Sequence, residues 1–430
     1  MLERVSLSPG ERAGVRASVL PTRLFRLSRR DFSWVVMLWT LVAVNQVHAQ
    51  IDPERRRLLQ TGYNQPLEGR GPIAAYGFYY YNQPNFARTN LTLRAAIAPV
   101  YMDAELGFSH LLGPNTDFAI GLAGGGFAKS YPEIRQGTYL REESFTGHGA
   151  DLSASVYHKF NPNQLVPLYA ILRGTVDQSF YQKDDRTAAD FVLPSDLTAA
   201  NVRTGLRLGG REPSMTAPLA MELSAWYEGR FRAESEAYGY NGDRRVEPNS
   251  HLFWGRALLD YTFDKSRQSF KVSLTLGTSA NPDRLSAYRL GGVLPFSSEF
   301  PLSVPGYYFQ ELSARRFVLL NAQYSLPLDA KKRWNLTGFA ASANLDYLPG
   351  LEQPGSWNSG LGGGITFKSP AGSWLVTLIY AYGINAIRTD ERGANQIGIL
   401  FQYDFEAKGK WFDPGVSPYR SRGMERLFRD

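Results

Sequence analysis

The 430-residue chain has no cysteine, so it has neither a disulfide framework nor a thiolate available as nucleophile or metal ligand. Histidine is scarce too. After residue 49 only His110, His148, His158 and His251 occur, without the paired spacing of a metal site, and there is no Gly-x-Ser-x-Gly elbow. These gaps argue against an enzyme and leave no cofactor to expect. A large charge of one sign is also missing from most of the chain. The formal +7 is concentrated at the N-terminus, where seven arginines stand against Glu3, Glu11 and Asp31 up to Ala49, leaving 40 basic and 37 acidic residues. So balanced a remainder excludes nucleic acid as the expected partner. Nor does any apolar run after Ala49 approach the roughly 20 residues of a transmembrane helix.

What the chain does contain is aromatic residues, 24 tyrosines and 25 phenylalanines, on a background of negative mean hydropathy. They fall in short segments with a period of two. From Asn395 to Phe405, Ile397, Ile399, Phe401, Tyr403 and Phe405 take one face while Gly398, Gln402 and Asp404 take the other. Such alternation suits a strand with lipid on one side and a wet lumen on the other. Because strands with open edges cannot stay in a bilayer, a row of them implies closure. The fold class expected is all-β, a transmembrane antiparallel β-barrel of 14 to 16 strands in the outer membrane of a Gram-negative-type bacterium, with outer-membrane lipid around it.

The N-terminus has the layout of export. Arg23, Arg26, Arg29 and Arg30 precede an apolar run from Trp34 to Val44, and Val47-His48-Ala49 offers a cleavage point, so residues 1–49 are expected to be a signal peptide with a long basic leader. Residues 50–72 are polar and too few for an ordinary domain, which suggests a periplasmic tail or a short arm entering the lumen. The barrel is expected over 73–405, and 406–430 as a polar periplasmic tail.

Within the barrel the first strand is expected at Ile73 to Tyr81. Asn90 to Leu112 changes its apolar parity at Pro99, which fits either one bulged strand or two strands around a tight turn. The former gives fourteen strands. Farther on, short turns (161–165, 264–268, 327–332 and 369–372 among them) alternate with long polar connections at 129–147, 178–200, 233–249, 281–314, 347–355 and 385–394. Outer-membrane barrels keep their short turns periplasmic and their long loops outward. Charges inside the strands, including Arg94, Asp103, Arg173, Asp177, Arg207, Glu222 and Arg256, should point inward, either setting ion preference or pairing across the wall.

The order of a long loop, a glycine-rich strand (Ser359 to Lys368), a Ser369-Pro370-Ala371-Gly372 turn, an aromatic strand and an aromatic-ended last strand resembles the bacterial surface antigen superfamily. That group includes the barrel subunit of the outer-membrane protein assembly machine, the two-partner secretion transporters and the barrels of outer-membrane patatins. The resemblance is strongest over 280–405. It implies sixteen strands and a sixth outward loop folded into the lumen, which here would be 281–314, with Arg289, Gly291, Gly292, Gly306 and Tyr307 as its suspected inward residues. Val304-Pro305-Gly306-Tyr307 puts proline where the family's loop tip carries arginine. If Arg289 holds the loop inward it requires a carboxylate partner; otherwise Arg289 and Tyr307 lie on an exposed loop. The family's exporters carry periplasmic polypeptide-transport-associated domains, for which 50–72 has no room. The expected function is a non-enzymatic barrel in outer-membrane or protein biogenesis or translocation, either weakening the bilayer or presenting a seam between its first and last strands, with a periplasmic or membrane partner chain. A stand-alone pore and a structural surface protein are the alternatives.

Overall fold

A computed structural model describes residues 51, 54–127, 129–164, 166–209, 221–263, 266–292, 301–388 and 391–407. The expected signal peptide and nearly all of the expected C-terminal tail lie outside them. The strands are β1 (Arg56–Pro66), β2 (Ala74–Pro84), β3 (Leu91–Ile97), β4 (Tyr101–Phe108), β5 (Thr116–Gly125), β6 (Tyr131–Arg135), β7 (Thr138–Lys159), β8 (Leu168–Gln182), β9 (Leu197–Gly209) and β10 (Met221–Arg232). They continue with β11 (Ala237–Tyr238), β12 (Arg244–Arg245), β13 (Asn249–Thr262), β14 (Ser269–Ala280), β15 (Tyr288–Leu290), β16 (Leu312–Pro327), β17 (Trp334–Tyr347), β18 (Trp357–Lys368), β19 (Trp374–Arg388) and β20 (Glu391–Asp404). Short β6, β11, β12 and β15 belong to connections. The other sixteen form an antiparallel wall that β1 and β20 close.

Two corrections to the sequence reading produce that sixteen. The segment 50–72 is not a tail or arm, because it contains β1, which pairs with β2 on one side and with β20 on the other. Asn90 to Leu112 is two strands, since Pro99 sits in the turn from β3 to β4. The expected first strand is therefore β2, and the closing seam lies at β1, one strand earlier than expected. The connection 129–147 is largely structured as well. β7 is 22 residues long, and its outer part pairs with β6 as a hairpin.

Alternation decides which side chains meet lipid. Leu172, Val176 and Phe180 on β8 are half exposed, as are Ile397 and Ile399 on β20, whereas the intervening Asp177, Gln396 and Gln402 are buried. The barrel therefore presents lipid with an apolar outside and keeps its polar groups inward. Six short connections, of five to eight residues, gather at one end with both chain ends of the described barrel. By the usual asymmetry that end is periplasmic, and 281–311 is then the sixth outward connection.

The inward face has two characters. From β3 to β14 it is charged and paired: Arg173 reaches Glu105 at 3.2 Å, Lys129 and Arg230 reach Asp177 at 3.3 and 3.2 Å, and Arg207 and Arg256 share Glu222. From β17 to β20 it is lined by small residues, among them Ala341, Ala343, Gly360, Ala381 and Gly383. Small residues leave space beside the wall, and the sixth loop occupies it.

Candidate functional site

The sixth outward loop begins against β16, where β15 pairs Tyr288 to Leu290 with Ala314 to Leu312. It then doubles back, with Gly291 bridged to Ser303 and Gly292 to Phe309. The returning segment lays its tip on the inside of β18 and β19. Gly306 has a φ of 82° and lies against the Gly383 backbone, and Gly360 lies against the Pro305 carbonyl, with no room for a Cβ at either position. Val304, Tyr307, Leu312, Phe317, Ala343, Ala386 and Ala394 share one buried apolar cluster.

Polar contacts fasten the tip. The Gly306 amide donates to Gln396 Oε1 at 3.0 Å, Gln396 Nε2 donates to the Tyr307 carbonyl at 3.0 Å, and the Tyr307 hydroxyl donates to Asn358 Oδ1 at 3.2 Å. A buried ion pair sits beneath them. Arg388 Nη1 and Nη2 reach the two Glu311 oxygens, each at 2.9 Å, while the Tyr308 amide donates to Glu311 at 2.7 Å. The guanidinium also lies 3.6 Å from the centre of the Tyr308 ring, a close cation–π contact. Burial pushes the Tyr307 and Tyr308 hydroxyls up, so both remain protonated donors at neutral pH.

The same loop meets the closing seam. β1 and β20 pair over nine residues, from Leu58 with Asp404 to Pro66 with Gln396, and inside the lumen Gln60 Nε2 donates to Gln402 Oε1 at 3.0 Å. At the outer end the Glu68 carboxylate accepts the Asn395 amide at 2.6 Å and also its side-chain amide. Tyr308 donates to the Glu68 carbonyl at 2.9 Å, with its ring packed against Gly69 and Gly71. At the inner end Glu406 pairs with Arg57 at 2.7 Å and Arg55 at 3.1 Å. The seam is thus fastened at three heights, and the upper fastening includes the loop.

Of the residues singled out from sequence, Gly291, Gly292, Gly306 and Tyr307 come together in this loop. Arg289 takes a different place from the one expected of a carboxylate-bound anchor. Its guanidinium lies 4.0 Å from the Tyr131 ring centre and donates to Gln310 Oε1 at 3.2 Å and the Arg284 carbonyl at 2.8 Å. The ion pair that holds the loop instead takes its cation from the wall, Arg388, and its anion from the loop, Glu311. On β20, Ile397, Ile399, Phe401 and Tyr403 alternate with Gln396, Gly398 and Gln402, and Phe405 follows the strand with its ring edge-on to Tyr79.

Above the mouth, the β6–β7 hairpin leans across until Gly137 lies against the Ile387 carbonyl of β19. Tyr131 and Phe145 of the hairpin share a buried apolar cluster with Phe191, Tyr238 and Val246 from the neighbouring connections. Glu133 is fully buried there. Burial would raise its pKa, but Arg284, Arg244, the Tyr131 hydroxyl and Arg135 together hold it below the usual carboxylate range. The histidines make ordinary contacts: His158 bonds Thr116 at 2.8 Å and His251 bonds Tyr227 at 2.9 Å. Among the described residues no group of three or more His, Asp or Glu could hold a metal ion.

No protein-family model matches the chain, and no curated protein does. Solved structures match its fold. BamA from Haemophilus ducreyi lacking POTRA domains 1-3 aligns over 83% of this chain and 71% of its own, at 10% identity and a TM-score of 0.52. CdiB from Acinetobacter baumannii aligns over 81% of this chain at 11% identity and a TM-score of 0.48, and the present chain covers 60% of it. Pseudomonas aeruginosa OccK11 (OpdR) aligns over 85% of this chain and 99% of its own, at 13% identity and a TM-score of 0.34. At such identities the likeness concerns fold: a bacterial outer-membrane β-barrel, distantly similar to the BamA barrel.

Proposed function

We propose that this chain is a non-enzymatic outer-membrane barrel of the surface antigen type, working in outer-membrane or protein biogenesis or translocation through the β1–β20 seam. One observation carries the reading. The Tyr308 hydroxyl bonds the first outward loop beside β1, while Gln396 on β20 and Arg388 on β19 hold the same loop tip, so seating the loop and closing the seam become a single event. A closure of this kind suits a wall that opens and shuts sideways. A fixed pore gains nothing from tying its inner loop to the joint. A periplasmic or membrane partner chain would deliver the client. The paired charges from β3 to β14 favour the second reading, a passive channel, only if they leave a continuous wet path.

The test locks the seam. Gln60→Cys with Gln402→Cys places two cysteines on directly paired, inward positions. In the native outer membrane, oxidation is expected to halt insertion or export of other outer-membrane proteins, and reductant to restore it, with conductance of the purified barrel unchanged. Full biogenesis activity in the locked protein would sink the seam mechanism, and steady conductance without such activity would favour the channel. Co-purification of a periplasmic or membrane chain with the native protein checks the partner.

A further inference from the structure

The wall is not of even height. β3 has 7 residues and β4 has 8, whereas the wall strands from β7 onward have 12 to 22. At a rise of about 3.3 Å per residue and a tilt of about 40°, seven residues span roughly 18 Å, short of the apolar band of about 25 Å that a bilayer requires. The shortfall lies at the outer end. The last pair between β2 and β3 is Tyr79 with Ile97, so β2 continues outward through Phe78 to Ala74 with no strand paired on that side among the described residues. On the other flank β7 continues outward well past its last pair with β5, Gly149 with Gly125. Between them the tight turn at Pro99 forms a low sill.

The side chains around this notch remain apolar. Ile97, Val100 and Met102 on the sill are 47%, 49% and 43% exposed, and Ile73, just before β2, and Phe127, just after β5, are 86% and 59% exposed. Apolar residues above the sill place it below the outer surface of the bilayer. Acyl chains cover such side chains well, but they offer nothing to a bare strand edge, because backbone N–H and C=O groups in hydrocarbon must be satisfied. Two of the usual edge protections are missing as well: Ala74, Ala75, Tyr76, Gly77 and Phe78 include no charge and no proline. Water and lipid headgroups must therefore come down to the β2 edge.

We infer that the β3–β4 notch thins and hydrates the outer leaflet beside it, making a site where phospholipid headgroups enter the hydrocarbon layer and cross between leaflets. This deepens the biogenesis reading by assigning a lipid-perturbing role to a specific part of the wall. It rests on the chain spanning a bilayer but does not require the seam to open.

The experiment uses the full barrel reconstituted in phosphatidylcholine vesicles holding a short-chain fluorescent phosphatidylcholine. Extraction by external albumin, which is too large for the lumen, reports transfer from the inner leaflet. The expected result is transfer about tenfold faster than in vesicles carrying a variant with two residues inserted on each side of Pro99, which restores wall height. Transfer should also accelerate as acyl chains lengthen from about 14 to about 22 carbons, since the mismatch grows; this series uses the unaltered protein and stands even if the insertion variant does not fold. Equal transfer in both proteins, or no dependence on chain length, would overturn the inference. The seam-locked Gln60→Cys, Gln402→Cys barrel should transfer lipid at the unlocked rate, whereas loss on locking would assign the lipid path to the seam and overturn the notch. Finally, a photo-crosslinker at Gly77 in the native membrane should capture lipid, and capture of a polypeptide would show that a partner strand fills the edge instead.

Discussion

Removing the Glu311 carboxylate, as in Glu311→Gln, strands Arg388 in a site where it is 3% exposed. The variant turns one of the two 2.9 Å contacts into a donor facing a donor, leaves the other without a carboxylate charge, and weakens the 2.7 Å bond from the Tyr308 amide. Stripping one partner from a buried pair costs about 3–5 kcal/mol, because the remaining charge stays desolvated. Applied to seating of the loop, that cost raises the unseated population by roughly two to four orders of magnitude. Hydrogen exchange of 301–311, read by mass spectrometry on the reconstituted barrel, should show the loss of protection, while β9 and β10 stay unchanged. Replacing both partners, Glu311→Leu with Arg388→Leu, should recover part of it, since an apolar pair carries no desolvated charge. Unchanged exchange in Glu311→Gln would refute the argument: the apolar cluster and Gln396 would then seat the loop without the ion pair.

Two further outcomes follow from the same geometry. Gly71→Ala puts a methyl into the Tyr308 ring and should loosen the outer end of the seam by about 1–3 kcal/mol, and adding Tyr308→Ala should remove the clash without restoring the seam, because the Tyr308 bond to Glu68 goes with the ring; thiol accessibility at the adjacent seam residue Gln65 checks both. Glu133 has a depressed pKa, so it stabilises the folded β6–β7 hairpin above its unfolded pKa and loses that contribution as pH falls through its folded value. Near-ultraviolet circular dichroism of the Tyr131, Phe145 and Tyr238 cluster should therefore be flat from neutral pH down to about pH 5 and fall only below about pH 4. A loss between pH 7 and 6 would rule out Glu133 as the titrating group.

The barrel was legible wherever one face is apolar and the other polar, as in Ile397 to Tyr403 against Gly398 and Gln402. It was illegible at β1, where Leu59 and Tyr63 share the outer face with Thr61, and Arg55 to Arg57 gave the segment the look of a tail. Pro99 was visible as a change of parity, yet a bulge and a turn have the same local signature; only the pairing of Ile97 with Met102 separates them. The site was harder still. Glu311 and Arg388 are 77 positions apart, and Glu68 and Asn395 are 327 apart, so no spacing rule connects them. Arg289 attracted notice because it stands in a glycine-rich run, whereas Arg388, at the end of β19, reads in sequence as an ordinary rim charge.

The small residues inside β18 and β19 also bear on the order in which the chain assembles. Glycine gives a strand little side-chain packing of its own and costs it entropy. Gly360 and Gly383 receive much of their packing from the loop tip, and the loop is tied in turn to Glu68, near the other end of the chain. The C-terminal hairpins, whose contacts are local, can therefore form early but incompletely, and they reach full rigidity only when β1 arrives. Barrel closure, seating of the loop and completion of the C-terminal wall should therefore appear together as one late kinetic step.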